Sequence, residues 1–404
     1  MSDHPRTLVI EHAKIRTSPD TPPLDPGAIL VQEGQIVEVG GHVDAPSTVP
    51  VVDARGGVVV AGFWNSHVHF TEPRWRSAKT QRHEELERSL ADMLTSRGFT
   101  SAVDLGSDPR VVFPLRRRVA TGELLGPDLY VGGTGLFPPH GIPYYLRDSI
   151  PWYVRWLVPQ PRTPGAATRY VAQNQARGSD VLKLFTGSYV ERRKVVPMPA
   201  PIARAAASAA HARGQLVFAH SSNLEGTIIA RDAGVDVLAH APSDTEGVDR
   251  PLLQSLVGAR MAMIPTLKMF GTTVTRNPAY LGPIYDVLRG FRDLGGELWF
   301  GTDVGYMTDY STEGEFEALH EAGLDAREIL RMLTITPARR ISRVPNAGSI
   351  TPGAAADLVI LEGDPFEDIG AFARVRTTIG RGRVLWSGSD GTSRSRPAVP
   401  SSEK

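Results

Sequence analysis

Apolar and polar positions change rhythm twice along this chain. Near the start, the runs TLVIEHAKI (7–15), AILVQEGQIVEVG (28–40) and VPVVDARG (49–56) read as β-strands, with no long helix between them. The EGQ inside the second run marks a tight turn between two short strands. From residue 57 eight short apolar runs follow: GVVVAGFWNSHVH (57–69), FTSAVDLG (99–106), DLYVGGTG (128–135), DVLKLF (180–185), QLVFAH (215–220), VDVLAH (235–240), RMAMIPTL (260–267) and ELWFGTDV (297–304). Amphipathic stretches such as EELERSLADMLTSRG (84–98) and APIARAAASAAHARG (200–214) lie between them, the latter closing on Gly as helices often do. After a helix pair, AREILRMLTITPARRI (326–341), β character returns in DLVILEG (357–363) and VRTTIGRGRVLWSG (375–388).

Eightfold strand–helix alternation predicts an α/β fold, a (β/α)8 TIM barrel over residues 61–347. The β-rich ends predict a small composite β-sandwich module built from 1–60 and 348–388. The polar, Pro/Ser-rich run 389–404 reads as a disordered tail.

Composition narrows the chemistry. The 404 residues suit a barrel plus a smaller module, and Lys+Arg and Asp+Glu are both 44. That balance gives no support to bulk attraction to nucleic acid or anionic membrane, so neither is an expected partner. LRRRVA (115–120) reads as a solvated helix face. With no cysteine, a metal site must rest on His, Asp, Glu or modified Lys. The first residues show no secretory signal, and no run of about 18 apolar residues suggests a span. A cytoplasmic protein is expected, and a homo-oligomer is compatible with the sequence.

Catalytic residues of such barrels sit at the C-terminal ends of the strands. Strand one ends in HVH, and residues two apart on a strand project to the same side, so His67 and His69 stand together. Strand four carries Lys183, strand five ends in His220, strand six in His240, and strand eight in Asp303. Four of the chain's 11 histidines thus fall at strand ends. The bland alternatives are polar residues at a fraying terminus and a lysine snorkelling to the strand end. The chemical reading is more specific. A lysine desolvated in an apolar strand has a lowered pKa, and its neutral amine reacts with CO2 to give an anionic carbamate. That carbamate would bridge two divalent metal ions, one on His67 and His69, the other on His220 and His240. Imidazole and carboxylate donors suit Zn2+ and similar divalent ions, with Zn2+ the expected one. Two such ions share and acidify a hydroxide. Asp303 would ligate one ion and carry the proton to a leaving amine.

This pattern resembles the amidohydrolase superfamily, binuclear subtype, near the imidazolonepropionase-like and prolidase-like amidohydrolases. The resemblance runs over nearly the whole chain and includes ITPGAAADLVILEGDP (350–365), which is similar to the C-terminal signature of these proteins. It implies carbamylated Lys183, metal ligands at His67, His69, His220, His240 and Asp303, and an enzyme hydrolysing an amide or related C–N bond of a small molecule. The alternative is a mononuclear deaminase or cyclic-amide (imidazolone-type) hydrolase on the same fold. Mononuclear deaminases carry HxxE after strand five, whereas this chain has HSSN with Asn223 in that place. Prolidase-like relatives also carry a His in a Gly-rich loop after strand three, which implies a catalytic or substrate contact for His140; a plain loop His beside prolines is the other reading. Arg74, in EPRWRS, is a candidate for a substrate carboxylate, and Tyr306 for a pocket wall. WYVRWLVPQPRTPG (152–165) reads as a lid or an oligomer contact.

Overall fold

A computed structural model describes residues 6–148, 150–274 and 278–388; the run 389–404 lies outside the described residues. The strands in chain order are β1 (Leu8–Ile15), β2 (Leu24–Gln32), β3 (Gln35–Gly40), β4 (Val51–Asp53), β5 (Val58–Ala61), β6 (Phe63–Val68), β7 (Phe99–Asp104), β8 (Asp128–Val131), β9 (Leu182–Phe185), β10 (Gly187–Glu191), β11 (Lys194–Pro197), β12 (Val217–His220), β13 (Val237–Leu238), β14 (Ala262–Met263), β15 (Glu297–Leu298), β16 (Leu358–Leu361), β17 (Val375–Gly380) and β18 (Arg383–Ser387). The architecture is α/β. Among the described residues eight parallel strands form two sheets, one ordered β6-β7-β8 and one ordered β15-β14-β13-β12-β9. Parallel bridges Leu136–Leu184 and Val68–Val304 span the two junctions between them.

Strands from both chain ends form a separate sheet in the order β18-β17-β16-β5-β1-β2-β3, with β4 on β1. The expected sandwich takes the form of one continuous sheet that curls on itself. The amide N–H of Gly34, in the β2–β3 turn, donates to Arg6 O, and Ala356 N–H donates to Gly34 O. Gly382, in the β17–β18 turn, approaches Gly34 so closely that a Cβ on it would lie 2.9 Å from Gly34 Cα. β5 is buried along its whole length. Its Val58 and Val60 enter the main core, and Val59 and Ala61 enter the core of the outer sheet. Burial on both faces explains why its sequence is a plain apolar run and not an alternation.

Three sequence expectations change at this level. The run 57–69 is two strands in two sheets, β5 and β6, parted at Gly62. The Gly62 N–H donates to Asp357 O at 2.8 Å, and a Cβ there would fall 2.1 Å from Thr100 Oγ1. The chain crosses between layers where no side chain fits, which apolar periodicity does not reveal. A hairpin of β10 and β11 follows β9 and has no counterpart in the pattern read from sequence. In LRRRVA, Arg118 turns inward, donating to Ala78 O and Gln81 O and pairing with Glu123 at 2.7 Å. Among the described residues no helix is long and apolar enough to cross a membrane. The 3-10 segment Trp152–Leu157 is exposed, with Trp152 and Trp156 more than three-quarters accessible.

Candidate metal centre

β6 brings His67 and His69 to one end of its sheet, and the backbone of residues 300–304 runs alongside. Ser66 N–H donates to Phe300 O, Asp303 N–H to His67 O and His69 N–H to Val304 O, each at 2.8–2.9 Å. Buried Asn65 reinforces this seam: its Nδ2 donates to Thr302 Oγ1 at 2.7 Å, and its Oδ1 accepts from Thr302 N–H at 3.2 Å. Asp303 sits at φ +59°, a left-handed conformation that Asp tolerates better than most residues. Gly305, at φ +95°, passes against His69 so tightly that a Cβ would lie 1.7 Å from His69 O.

The result is a compact donor group. Asp303 Oδ1 is 3.0 Å from His69 Nε2 and 3.3 Å from His67 Nε2, and the two imidazole nitrogens are 3.2 Å apart. One ligand atom from each of these three residues lies within 4.8 Å of the others, a set that could hold a metal ion. His240 Nε2 approaches Asp303 Oδ2 from the other side at 4.0 Å. The His67 and His240 rings are 4.5 Å apart, and the His220 and His240 rings 4.7 Å. The sequence-predicted set at β6, β9, β12, β13 and the segment after β15 therefore converges.

Lys183 is 1% exposed, and its Nζ has no hydrogen-bond partner among the described residues. Burial pulls its pKa down to about 7, against a weaker upward pull from Asp303. Burial also lowers His220, to about 3, with the Lys183 charge adding to the effect. His67 and His240 are held well below the usual histidine range, chiefly by burial. Neutral imidazoles are the form that ligates a cation. His67 Nδ1 lies 2.8 Å from Ala239 O, and a carbonyl only accepts, so Nδ1 carries the proton and Nε2 presents its lone pair to the centre. These features fit a divalent cation: imidazole and carboxylate donors converge, and a buried amine stands beside them without a hydrogen-bond partner.

The remaining candidates lie elsewhere or at the margin. Arg74 is committed to protein partners, pairing with Glu72 at 2.9 Å and Asp92 at 2.8 Å and donating to Tyr310 at 2.6 Å. His140 is exposed at φ +59°, 3.4 Å from Arg162, in a surface groove of about 560 Å³ that none of the converging residues lines. Tyr306 does stand near the centre. It packs edge-to-face on Tyr145 at 5.5 Å, and its phenol is raised by burial and then by the Asp303 charge.

The Amidohydrolase family model matches residues 58–385. The chain belongs to the amidohydrolase family. As an amidohydrolase it is an enzyme acting on carbon–nitrogen bonds. It is 23% identical to an ochratoxinase of Aspergillus niger over 94% of this chain and 87% of that one. It is 25% identical to an imidazolonepropionase of Salinispora arenicola over 83% and 85%. In fold it is similar to a Xaa-Pro dipeptidase crystallised with methionine, with TM-score 0.79, 22% identity and coverage of 95% and 100%.

In this amidohydrolase several site residues escape a reading by strand ends. Tyr145, on the short helix Tyr144–Arg147, has its phenol pushed well up by burial, then by Tyr306 and Asp303. Phe185 stacks on His220 at 5.1 Å. Asn65 had a weak signal, being the single amide in the apolar run 57–64 and its sequel. Asn223, the residue at the deaminase glutamate's place, caps the helix Leu224–Ala233 by accepting from Gly226 N–H at 3.0 Å.

Proposed function

We propose that this amidohydrolase is a metal-dependent hydrolase cleaving an amide or related carbon–nitrogen bond of a small molecule. Two divalent ions, Zn2+ by donor preference, would be held by His67, His69, His220, His240, Asp303 and a carbamate on Lys183. The reading treats the two parallel sheets as one closed (β/α)8 barrel over 61–347, a view supported by the bridges at both junctions. The outer sheet is then the module of 1–60 and 348–388.

The observation that carries the reading is the orphaned, buried Lys183 amine among the histidines. An ammonium left there would cost several kcal/mol. Its neutral nitrogen attacks CO2: one N–C bond forms as one C=O π bond opens, and one N–H proton passes to solvent, leaving an anionic oxygen donor pair. When bound, the ions supply Lewis acidity, which polarises a carbonyl and lowers the pKa of water. Asp303 accepts the proton of the attacking water and returns it to the departing nitrogen. Tyr145 and Tyr306 form a wall beside Asp303. The relatives named as an ochratoxinase, an imidazolonepropionase and a Xaa-Pro dipeptidase support hydrolysis as the reaction type.

The compact trio His67, His69 and Asp303 favours a second reading with one ion, an imidazolone-type hydrolase or a deaminase. For deamination the capping role of Asn223 counts against it. Elemental analysis separates the two, with two ions per chain against one. In the lead reading, Lys183→Ala loses both metal and activity, the latter by roughly 100-fold or more. Short carboxylates added to it restore part of both, and 13CO2-treated wild type shows a carbamate carbon signal. Wild-type metal content and turnover in Lys183→Ala would overturn it.

A further inference from the structure

The orientation of His240 is set by a turn in the next βα segment. Its Nδ1 lies 2.8 Å from Thr266 Oγ1, and both groups are buried. The single hydroxyl proton of Thr266 is donated to Pro265 O at 2.8 Å. A hydroxyl whose proton is spent can only accept, so the proton between the two residues belongs to His240 Nδ1. Nε2 then bears a lone pair on the side facing Asp303, 4.0 Å from Oδ2.

Thr266 occupies that place only because its backbone is left-handed, at φ +51° and ψ +47°. For a β-branched residue this region is strained. The neighbouring helix Glu313–Glu321 supplies the compensation. Glu315, 1% exposed, accepts from the next two backbone amides, with Oε1 3.0 Å from Leu267 N and Oε2 2.7 Å from Lys268 N. Bonding two adjacent amides to one carboxylate fixes the peptide planes just past Thr266. Leu267 and Lys268 open the short helix Leu267–Met269, so Glu315 caps the helix for which Thr266 is the N-cap residue.

We infer that Thr266 and Glu315 are positioning residues that hold His240 as its Nδ1–H tautomer and so present Nε2 as a donor. This rests on the metal-centre reading for its purpose, but the tautomer exists without any metal. The test therefore begins with chelator-treated, full-length protein carrying 15N-labelled histidine rings. Two-bond 15N–1H spectra distinguish the tautomers, and His240→Gln identifies the signal by its loss. The wild type is expected to show His240 protonated on Nδ1. Thr266→Ser, which keeps the hydroxyl, preserves that signature. Thr266→Val, which keeps the shape and loses the acceptor, converts His240 to the other tautomer or a mixture. Glu315→Gln, which keeps one of two acceptor oxygens, shows a partial change.

A Zn2+ titration on the same samples reads the consequence. Affinity for an ion falls roughly 10–100-fold in Thr266→Val and within about threefold in Thr266→Ser. His240 protonated on Nε2 in the wild type overturns the inference, whether or not any variant folds. So does an unchanged tautomer in folded Thr266→Val. If the wild type binds no divalent ion, the proposed function fails while the tautomer result stands on its own.

Discussion

In the proposed mechanism, a ligand's role and a proton carrier's role meet in the Asp303 side chain. Its left-handed backbone and its tie to His67 O place both carboxylate oxygens toward histidines. Asp303→Asn keeps an oxygen able to coordinate and removes the base. In that variant kcat should fall by roughly 10²–10⁴ with metal content only modestly reduced. Turnover and elemental analysis on one sample check this; kcat within a few-fold of wild type would reduce Asp303 to a ligand. The strand-end residues were legible because period-2 alternation and a position at the end of an apolar run are local signals. Thr266 and Glu315 were not, and Asn65 only weakly, because each acquires its meaning from a partner far along the chain. His240 lies 26 residues from Thr266, and Asn65 lies 237 from Thr302. Arg74 illustrates the converse, since its attractive chemistry is consumed by Glu72, Asp92 and Tyr310.

Among the elements, β6 and the strip 300–304 act as one piece, because three backbone hydrogen bonds and the Asn65 side chain tie them along their seam. Gly305 lets that piece close. In Gly305→Ala the positive φ and the overlap with His69 O act together, so the two segments must separate at the donor group. A loss of about 2–4 kcal/mol in stability is expected, with weaker metal retention. Chemical denaturation measures the first and elemental analysis the second; a fully stable, metal-replete variant would show that the seam is pliable. Sequence rhythm found the eight parallel strands because apolar runs and helices alternate. It joined β5 to β6 because two buried strands in tandem look like one, and steric exclusion at Gly62 has no signature in hydropathy.

Across the molecule, β5 pairs with β1 on one edge and β16 on the other, so both chain ends share a sheet. A buried ion pair fastens the same junction. Arg16 reaches Asp364 through Nε at 3.1 Å and Nη2 at 2.7 Å, and Lys14 adds a third contact at 2.5 Å. Burial pushes the Asp364 carboxyl up, but Arg16 and Lys14 prevail and hold it at about 2. A carboxyl depressed on folding contributes stability above its unfolded pKa near 4, and that stability is lost as pH falls from about 4 to 2. The contribution is about 1–2 kcal/mol once screening is allowed for. Asp364→Asn should cost about 3–5 kcal/mol at neutral pH, because Arg16 is left buried without its anion, and should flatten the acid dependence. Denaturation midpoints of both proteins between pH 2 and 7 provide the check; parallel curves would show that the pair contributes nothing.

The β5–β16 pairing also sets a timetable for synthesis. Ala61 is opposite Leu358, a partner that leaves the ribosome roughly 300 residues later. At translation speeds of about 5–20 residues per second, that delay is about 15–60 s. Throughout it, β5 offers a bare strand edge with apolar side chains on both faces, the kind of edge that recruits other strands. Nascent chains halted short of residue 358 are thus expected to misassemble more readily than chains in which β16 has emerged.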